Sequence, residues 1–399
     1  MRLTNQQKEK LRKEQGVDRI WSFSMINSFH NCPWEYKMKY IDHERVNNDN
    51  AYTIFGTECH DTIQGYYDGT FTYDDMRKEW DRFVNKWEND PAGLRFDTDK
   101  IKAGYLNNIS HYFSHTDVTD KQGHNELPVV TKLTTNQEQK LVFVGYIDSC
   151  FKGKDGSFTL VDYKSSSKSS FSKSKLPEKS MQLMLYAMGI HQQYNIPLDK
   201  INCKFDMMKY CTVHFKQENS KWKESVQERS KWVAKMNKKL ETKLKKLGYD
   251  DTTAMLDISQ AAANNNMDNL PKEISEQFYI TNYLIELPVN EETMQQAMDS
   301  IVERCQEILE FEKIDDLESY LEVHFPYNPD DYYCKKLCAY HSTNKFKEEN
   351  GMLRDMETEV DLDKMLGIDN TDSKSESVSD NTNSDEYDSD EDILEKLFG

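Results

Sequence analysis

The sequence predicts an α/β fold in which a central mixed β-sheet is flanked by helices, with helical additions and a disordered acidic C-terminal tail. Residues 141–151 (LVFVGYIDSCF) and 157–163 (SFTLVDY) are short runs rich in β-branched and aromatic residues, separated by the turn residues KDG at 154–156. Segments on either side of this pair carry apolar residues at spacings of three and four, as helices packed on a sheet do. After Gly351 the composition turns to Asp, Ser, Asn and Glu, which cannot bury enough apolar surface to fold alone.

Taken in order, residues 1–19 form an N-terminal arm, 20–350 the folded body and 351–399 the tail. A helix is expected over 24–40, where Phe29, Cys32, Tyr36 and Tyr40 recur at helical spacing, and a second from Gly56 with His60, Ile63 and Tyr67 on adjacent turns. Further helix is expected within 76–113, where Trp80, Phe83 and Trp87 share a face. The two strands form a hairpin, followed by a Ser/Lys loop (165–175), a helix over 179–194 and a strand over 201–210. Residues 221–247 read as one long basic amphipathic helix with Trp222, Val226, Val233, Met236, Leu240, Leu244 and Leu247 along its apolar stripe. Residues 250–275 read as a polar connecting loop, 278–287 as a strand and 291–311 as a helix.

The chain has 399 residues and a formal charge of -19. Residues 355–399 hold 16 acidic and 3 basic residues, so they carry -13 and leave about -6 for the rest. Local basic patches can still act on a body of that charge. No run of about 18 apolar residues exists, which argues against a transmembrane helix. The charged N-terminus lacks a secretory h-region, so a cytoplasmic protein with reduced or metal-bound cysteines is expected.

The hairpin carries the residues with the clearest chemistry. Asp148 stands near the end of one strand, and Asp162 and Lys164 near the end of the other. Pairing would bring both carboxylates into one site able to bind hard cations. Asp162 and Lys164, two apart on a strand, project to the same face. A lysine beside metal-binding carboxylates can orient water and offset charge on a phosphate. Taken singly, each residue has an ordinary alternative: Asp162 and Lys164 as a surface pair, His60 as a satisfied core histidine.

GYID (145–148) followed by VDYK (161–164) resembles the signature of the PD-(D/E)XK nuclease superfamily. GTECH (56–60) resembles the histidine motif of its RecB-like branch, and QLMLY (182–186) resembles that branch's Q-x-x-x-Y motif. SFSMINSFHNCPWEYKMKYI (22–41) is similar to the opening helix of AddB-type and CRISPR-associated exonucleases. The resemblance implies a restriction-endonuclease-like core for the body. It implies His60, Asp148, Asp162 and the Tyr163 carbonyl as ligands of Mg²⁺ or Mn²⁺. Lys164 would be the catalytic lysine, acting with Asp148 and Asp162, and Gln182 and Tyr186 would position DNA. Glu126 lies where some relatives place an extra acidic residue. The compact build suits a phage-encoded enzyme working in the host cytoplasm.

Several members of the branch carry an iron–sulfur cluster held by one cysteine in the opening helix and three near the end of the domain. Cys32 matches the first position, and Cys334 and Cys338 resemble two of the others, but no cysteine follows Cys338. His341 would complete a Cys₃His set that suits zinc as well as iron. A lost or altered site is favoured over an intact four-cysteine cluster. Cys59, Cys150, Cys203, Cys211 and Cys305 are expected to be ordinary buried residues.

The lysines of 221–247 suit either a DNA backbone contact or a solvated helix face. In the tail, LDKMLG (362–367) and LEKLFG (394–399) share a pattern that would suit docking on a recombination or replication protein, or chance similarity in a solubilising tail. Three functions follow from these readings: a metal-dependent DNA exonuclease, a structure-specific or nicking endonuclease with the same site, and a non-catalytic DNA-binding adaptor acting through its tail.

Overall fold

The computed structural model describes residues 3–44, 49–91, 93–118 and 124–351. The chain divides into two units, one of Met1–Asn27 and Asp49–Asp315, the other of Ser28–Asn48 and Asp316–Gly399. Along the chain come α1 (Asn5–Gln15), α2 (Phe23–Asn31), α3 (Pro33–Tyr36) and a π-helical turn (Lys37–Ile41). The single helix expected over 24–40 is therefore broken. Cys32 is extended (φ -159°, ψ 102°) because the ring of Pro33 disfavours helical backbone in the residue before it.

Helices α4 (Ala51–Tyr67), α5 (Tyr73–Glu88) and α6 (Asp99–His115) follow. Helix α4 starts earlier than expected because Asn50 and Thr53 form a reciprocal capping box. Next are strands β1 (His124–Thr134), β2 (Lys140–Lys152) and β3 (Phe158–Lys164), then α7 (Leu176–Tyr194) and β4 (Ile201–Lys216). Beyond them lie β5 (Trp222–Glu228), α8 (Asn237–Lys246), α9 (Asp251–Asn264), α10 (Lys272–Ser275), β6 (Phe278–Leu287) and α11 (Glu291–Phe311). The short helices α12 (Leu317–His324) and α13 (Asn344–Glu349) close the described chain. Strand β6 and helix α11 have the bounds the sequence predicts. No helix among the described residues is long and apolar enough to cross a membrane.

In the first unit the six strands make one mixed sheet in the order β1-β2-β3-β4-β5, with β6 also paired to β4. Strands β1, β2 and β3 run antiparallel in turn, whereas β3 and β4 are parallel, as the crossover through α7 requires. Helix α7 also covers the outer edge of β1. The side chains of Gln193 and Gln192 accept from the Val130 and Lys132 N–H groups at 2.7 and 2.8 Å, so that edge is not left as a template for another chain. On the stretch of β2 that β3 does not reach, Trp21 bridges Val142 and Val144.

Helices α4, α5 and α6 pack through an aromatic cluster in which Phe55, Trp80, Trp87, Phe96 and Tyr105 are buried. A second cluster lies under the far half of β4, where Val213 and Phe215 meet Val233, Met236, Leu240 and Leu244. Two expectations fail here. Residues 221–247 are not one helix, because 222–228 pair with β4 from Tyr210↔Glu228 to Lys216↔Trp222. Residues 250–275 are not a loop, because α9 is capped by Asp250 and buries Ala254, Ile258 and Ala261.

In the second unit, α3 and the segment after α12 are joined by Glu35. Its Oε2 accepts from the Tyr333 hydroxyl at 3.1 Å and the Ala339 N–H at 2.9 Å. The Trp34 ring stacks on Tyr340 with centroids 4.7 Å apart.

Candidate active site

The pairing of β2 with β3 runs from Lys152↔Phe158 to Ser149↔Val161, so Asp148 and Asp162 come next on the two strands. Asp148 is thus well inside β2 rather than near its end, because β1 continues to pair with β2 beyond that point. The Tyr163 N–H donates to the Asp148 side chain at 3.3 Å, which holds that carboxylate across the gap between the strands. Asp162 and Lys164 share a face of β3, as their spacing predicts, and form an ion pair with Nζ 2.6 Å from Oδ1. The Lys164 ammonium lies over the Phe205 ring of β4, 5.8 Å from its centroid.

Helix α4 delivers His60 to the same place, with Nδ1 3.2 Å from Asp148 Oδ2. Its ring lies edge-on to the buried Tyr163 ring at 6.3 Å. From α7, Gln182 and Tyr186 reach in one helical turn apart, and Gln182 Nε2 donates to the Tyr186 hydroxyl at 2.9 Å. These six residues (His60, Asp148, Asp162, Lys164, Gln182 and Tyr186) line one pocket of about 70 Å³, with Tyr146, Ile147 and Leu183 completing the wall.

The electrostatics of the pocket are uneven. Burial pushes the Asp162 carboxyl up to about 6, the Lys164 charge opposing and the Asp148 charge adding to it. Burial works the same way on Asp148, but the hydrogen bond and charge of His60 outweigh it and hold Asp148 below its ordinary value. Burial would lower His60, yet Asp148 and Asp162 raise it. Lys164 is also raised, its partner Asp162 overcoming burial.

Of the expected ligands, His60 and Asp148 stand at a spacing that suits a shared hard divalent cation, whereas Asp162 is engaged by Lys164. Two ligands of one ion at about 2.1 Å and 90° to each other stand about 3 Å apart, close to the 3.2 Å between His60 and Asp148.

Two residues on the strands beside the pocket carry features the sequence alone does not show. A Cβ at Gly145 would fall on the Tyr186 ring, so the glycine of GYID makes room for the tyrosine of QLMLY. Glu126 lies between Asn125↔Ser149 and Leu127↔Ile147 in the β1–β2 register and drops out of the regular pairing there. Its backbone is left-handed (φ 50°), a conformation that costs a non-glycine residue about 1 kcal/mol or more.

The other expected residues divide. In the second unit Cys32, Cys338 and His341 come together, while Cys334 stays partly exposed and outside the group. Cys59, Cys150, Cys203, Cys211 and Cys305 are buried. The tail motifs at 362–367 and 394–399 lie outside the described residues.

No curated protein matches the chain. The family model described as the PD-(D/E)XK nuclease superfamily matches residues 20–343, a span that takes in His60, the β2–β3 carboxylates, Lys164 and α7, and the chain therefore belongs to that superfamily.

Proposed function

We propose that the protein is a metal-dependent DNA exonuclease of the RecB-like branch, working on DNA ends or single strands in recombination, repair or replication. In this reading residues 20–350 are the nuclease domain, and the convergence of His60, Asp148, Asp162 and Lys164 on one pocket is the observation that carries it.

His60, Asp148, Asp162 and the Tyr163 carbonyl would hold the cation. Mg²⁺ or Mn²⁺, when bound, supplies Lewis-acid charge to the phosphate and makes hydroxide available near neutral pH. Lys164, kept protonated by Asp162, orients the attacking water and offsets charge that develops on the phosphate oxygens. Asp148 and Asp162 complete the catalytic set by fixing the positions of cation and lysine. Gln182 and Tyr186, locked to each other, grip the strand so that its phosphate meets the pocket in one orientation.

The test is digestion of end-labelled linear DNA, single- and double-stranded, and of circular single-stranded DNA, with Mg²⁺ or Mn²⁺. Wild type is expected to degrade linear substrates and spare the circle. Lys164→Ala and Asp162→Ala should each lose about a hundredfold or more in rate. Cutting of the circle would make the enzyme an endonuclease with the same site. Equal activity in wild type and both variants would overturn the assignment of the site. Silence of wild type on every substrate would favour a DNA-binding adaptor.

A further inference from the structure

The second unit contains a group of ligand side chains for which DNA cleavage has no use. Cys32, at the break between α2 and α3, faces Cys338 with the two sulfurs 3.2 Å apart. That separation is well beyond the roughly 2.05 Å of a disulfide. The donor atoms of Cys32, Cys338 and His341 all lie within 4.8 Å of one another. The three residues are only 4%, 2% and 7% exposed.

His341 supplies a second, independent observation. Its ring is enclosed by Tyr327, Tyr340 and Phe346, and neither Nδ1 nor Nε2 has a hydrogen-bond partner. A buried imidazole without partners is costly, since its polar atoms have left water and gained nothing. A cation among the two sulfurs and this ring would remove that cost.

The iron–sulfur cluster implied by the resemblance does not fit these residues. Such a cluster takes four cysteine thiolates spread over several irons. The group contains two, Cys334 stands outside it, and no cysteine follows Cys338. Donors converging this closely suit one ion. Two thiolates at about 2.3 Å from a tetrahedral zinc stand about 3.8 Å apart, with the imidazole nitrogen at about 2.0 Å from the metal, so the two sulfurs, now 3.2 Å apart as a thiol–thiol pair, open slightly to take the ion.

We propose that Cys32, Cys338 and His341 bind a single Zn²⁺ in place of an iron–sulfur cluster. Binding releases the two thiol protons to solvent. The ion ties the segment 28–44 to the segment 316–351 of the same unit. The cradle is already built by Glu35, which bonds Tyr333 and Ala339, and by the Trp34–Tyr340 stack. The role is structural: the ion closes a very long loop, where a cross-link restricts the unfolded chain most.

The experiment is metal analysis of the full chain purified under reducing conditions, with its absorption spectrum and the spectrum after Co²⁺ exchange. Wild type and Cys334→Ser should carry about one zinc per chain, colourless, with sulfur-to-cobalt charge-transfer bands on exchange. Cys32→Ser and His341→Ala should lose the metal. A chelator should lower the unfolding temperature of wild type and leave that of Cys32→Ser unchanged, a readout independent of nuclease activity. Several irons per chain with a brown absorbance would overturn the proposal. So would loss of zinc in Cys334→Ser, or a Cys32–Cys338 disulfide found by peptide mass. If the variants do not fold, wild type free of zinc after purification would overturn it unaided.

Discussion

The ring of Tyr186 occupies the space where a side chain at position 145 would begin, so Gly145 on β2 and Tyr186 on α7 are fitted directly against each other. Gly145→Ala must displace the tyrosine and with it the Gln182 hydrogen bond. Overpacking of this kind costs about 1–3 kcal/mol. The variant should stay folded by circular dichroism but lose roughly tenfold or more in cleavage rate. Full activity in folded Gly145→Ala would show that the tyrosine's position is not needed.

Metal binding and cleavage should separate by residue. His60→Ala and Asp162→Asn are expected to weaken Mn²⁺ binding by about tenfold or more, measured by calorimetry on the metal-free protein. Lys164→Ala should keep Mn²⁺ affinity close to wild type while losing cleavage. Loss of Mn²⁺ binding in Lys164→Ala would mean that the lysine shapes the carboxylates rather than serving the reaction.

Stability should depend on pH through Asp206. Its Oδ2 accepts from the Tyr112 hydroxyl at 2.9 Å and Asn282 Nδ2 at 2.8 Å, and Asn282 in turn accepts from the fully buried Arg229. Burial pushes Asp206 from 3.8 up to about 6, against Arg229, Tyr112 and Asn282. The fold thus prefers the neutral acid. That stabilisation is whole below the unfolded value near 4 and is lost as pH rises through 6. Compared with Asp206→Asn by urea denaturation, wild type should lose roughly 3 kcal/mol of relative stability between pH 4 and pH 7. A difference that does not change with pH would refute the shift.

The aromatic cluster should hold the helices that carry His60. Trp80 is fully buried against Phe55, Phe83 and Phe113, and its Nε1 donates to Ser110 at 3.0 Å. Trp80→Ala should cost about 3–5 kcal/mol, and Ser110→Ala only about 1 kcal/mol. Chemical denaturation of both variants checks the ratio.

The elements legible in the sequence are those whose apolar pattern is strong and local. The runs that became β2, β3 and α11 bury most of the apolar residues their period marks. Residues 222–228 misled because WKESVQE is an exposed, charged strand, defined by its pairing with β4 rather than by its own period. Helix α9 was hidden for the opposite reason. It buries the small Ala254 and Ala261 and exposes Met255 and Leu256 at 64% and 63%, so its largest apolar residues point the wrong way. At Cys32 a helical period ran straight through a proline that the backbone could not follow.

What the sequence determined by itself was the inventory of the pocket and its order: a histidine, two carboxylates, a lysine, then a glutamine and tyrosine one helical turn apart. For His60, Gln182 and Tyr186 that information came through the resemblance of GTECH and QLMLY to the superfamily's motifs, whereas for Asp162 and Lys164 the spacing itself sufficed, because residues two apart on a strand share a face. Only the tertiary structure decided that His60 meets Asp148, that Tyr186 needs Gly145, that Asp206 shares Asn282 with Arg229, and that Cys32 finds Cys338 and His341 while Cys334 does not. Those contacts join distant parts of the chain, so they depend on which faces pack and on the register of β2 against its neighbours. Local propensity does not encode either quantity.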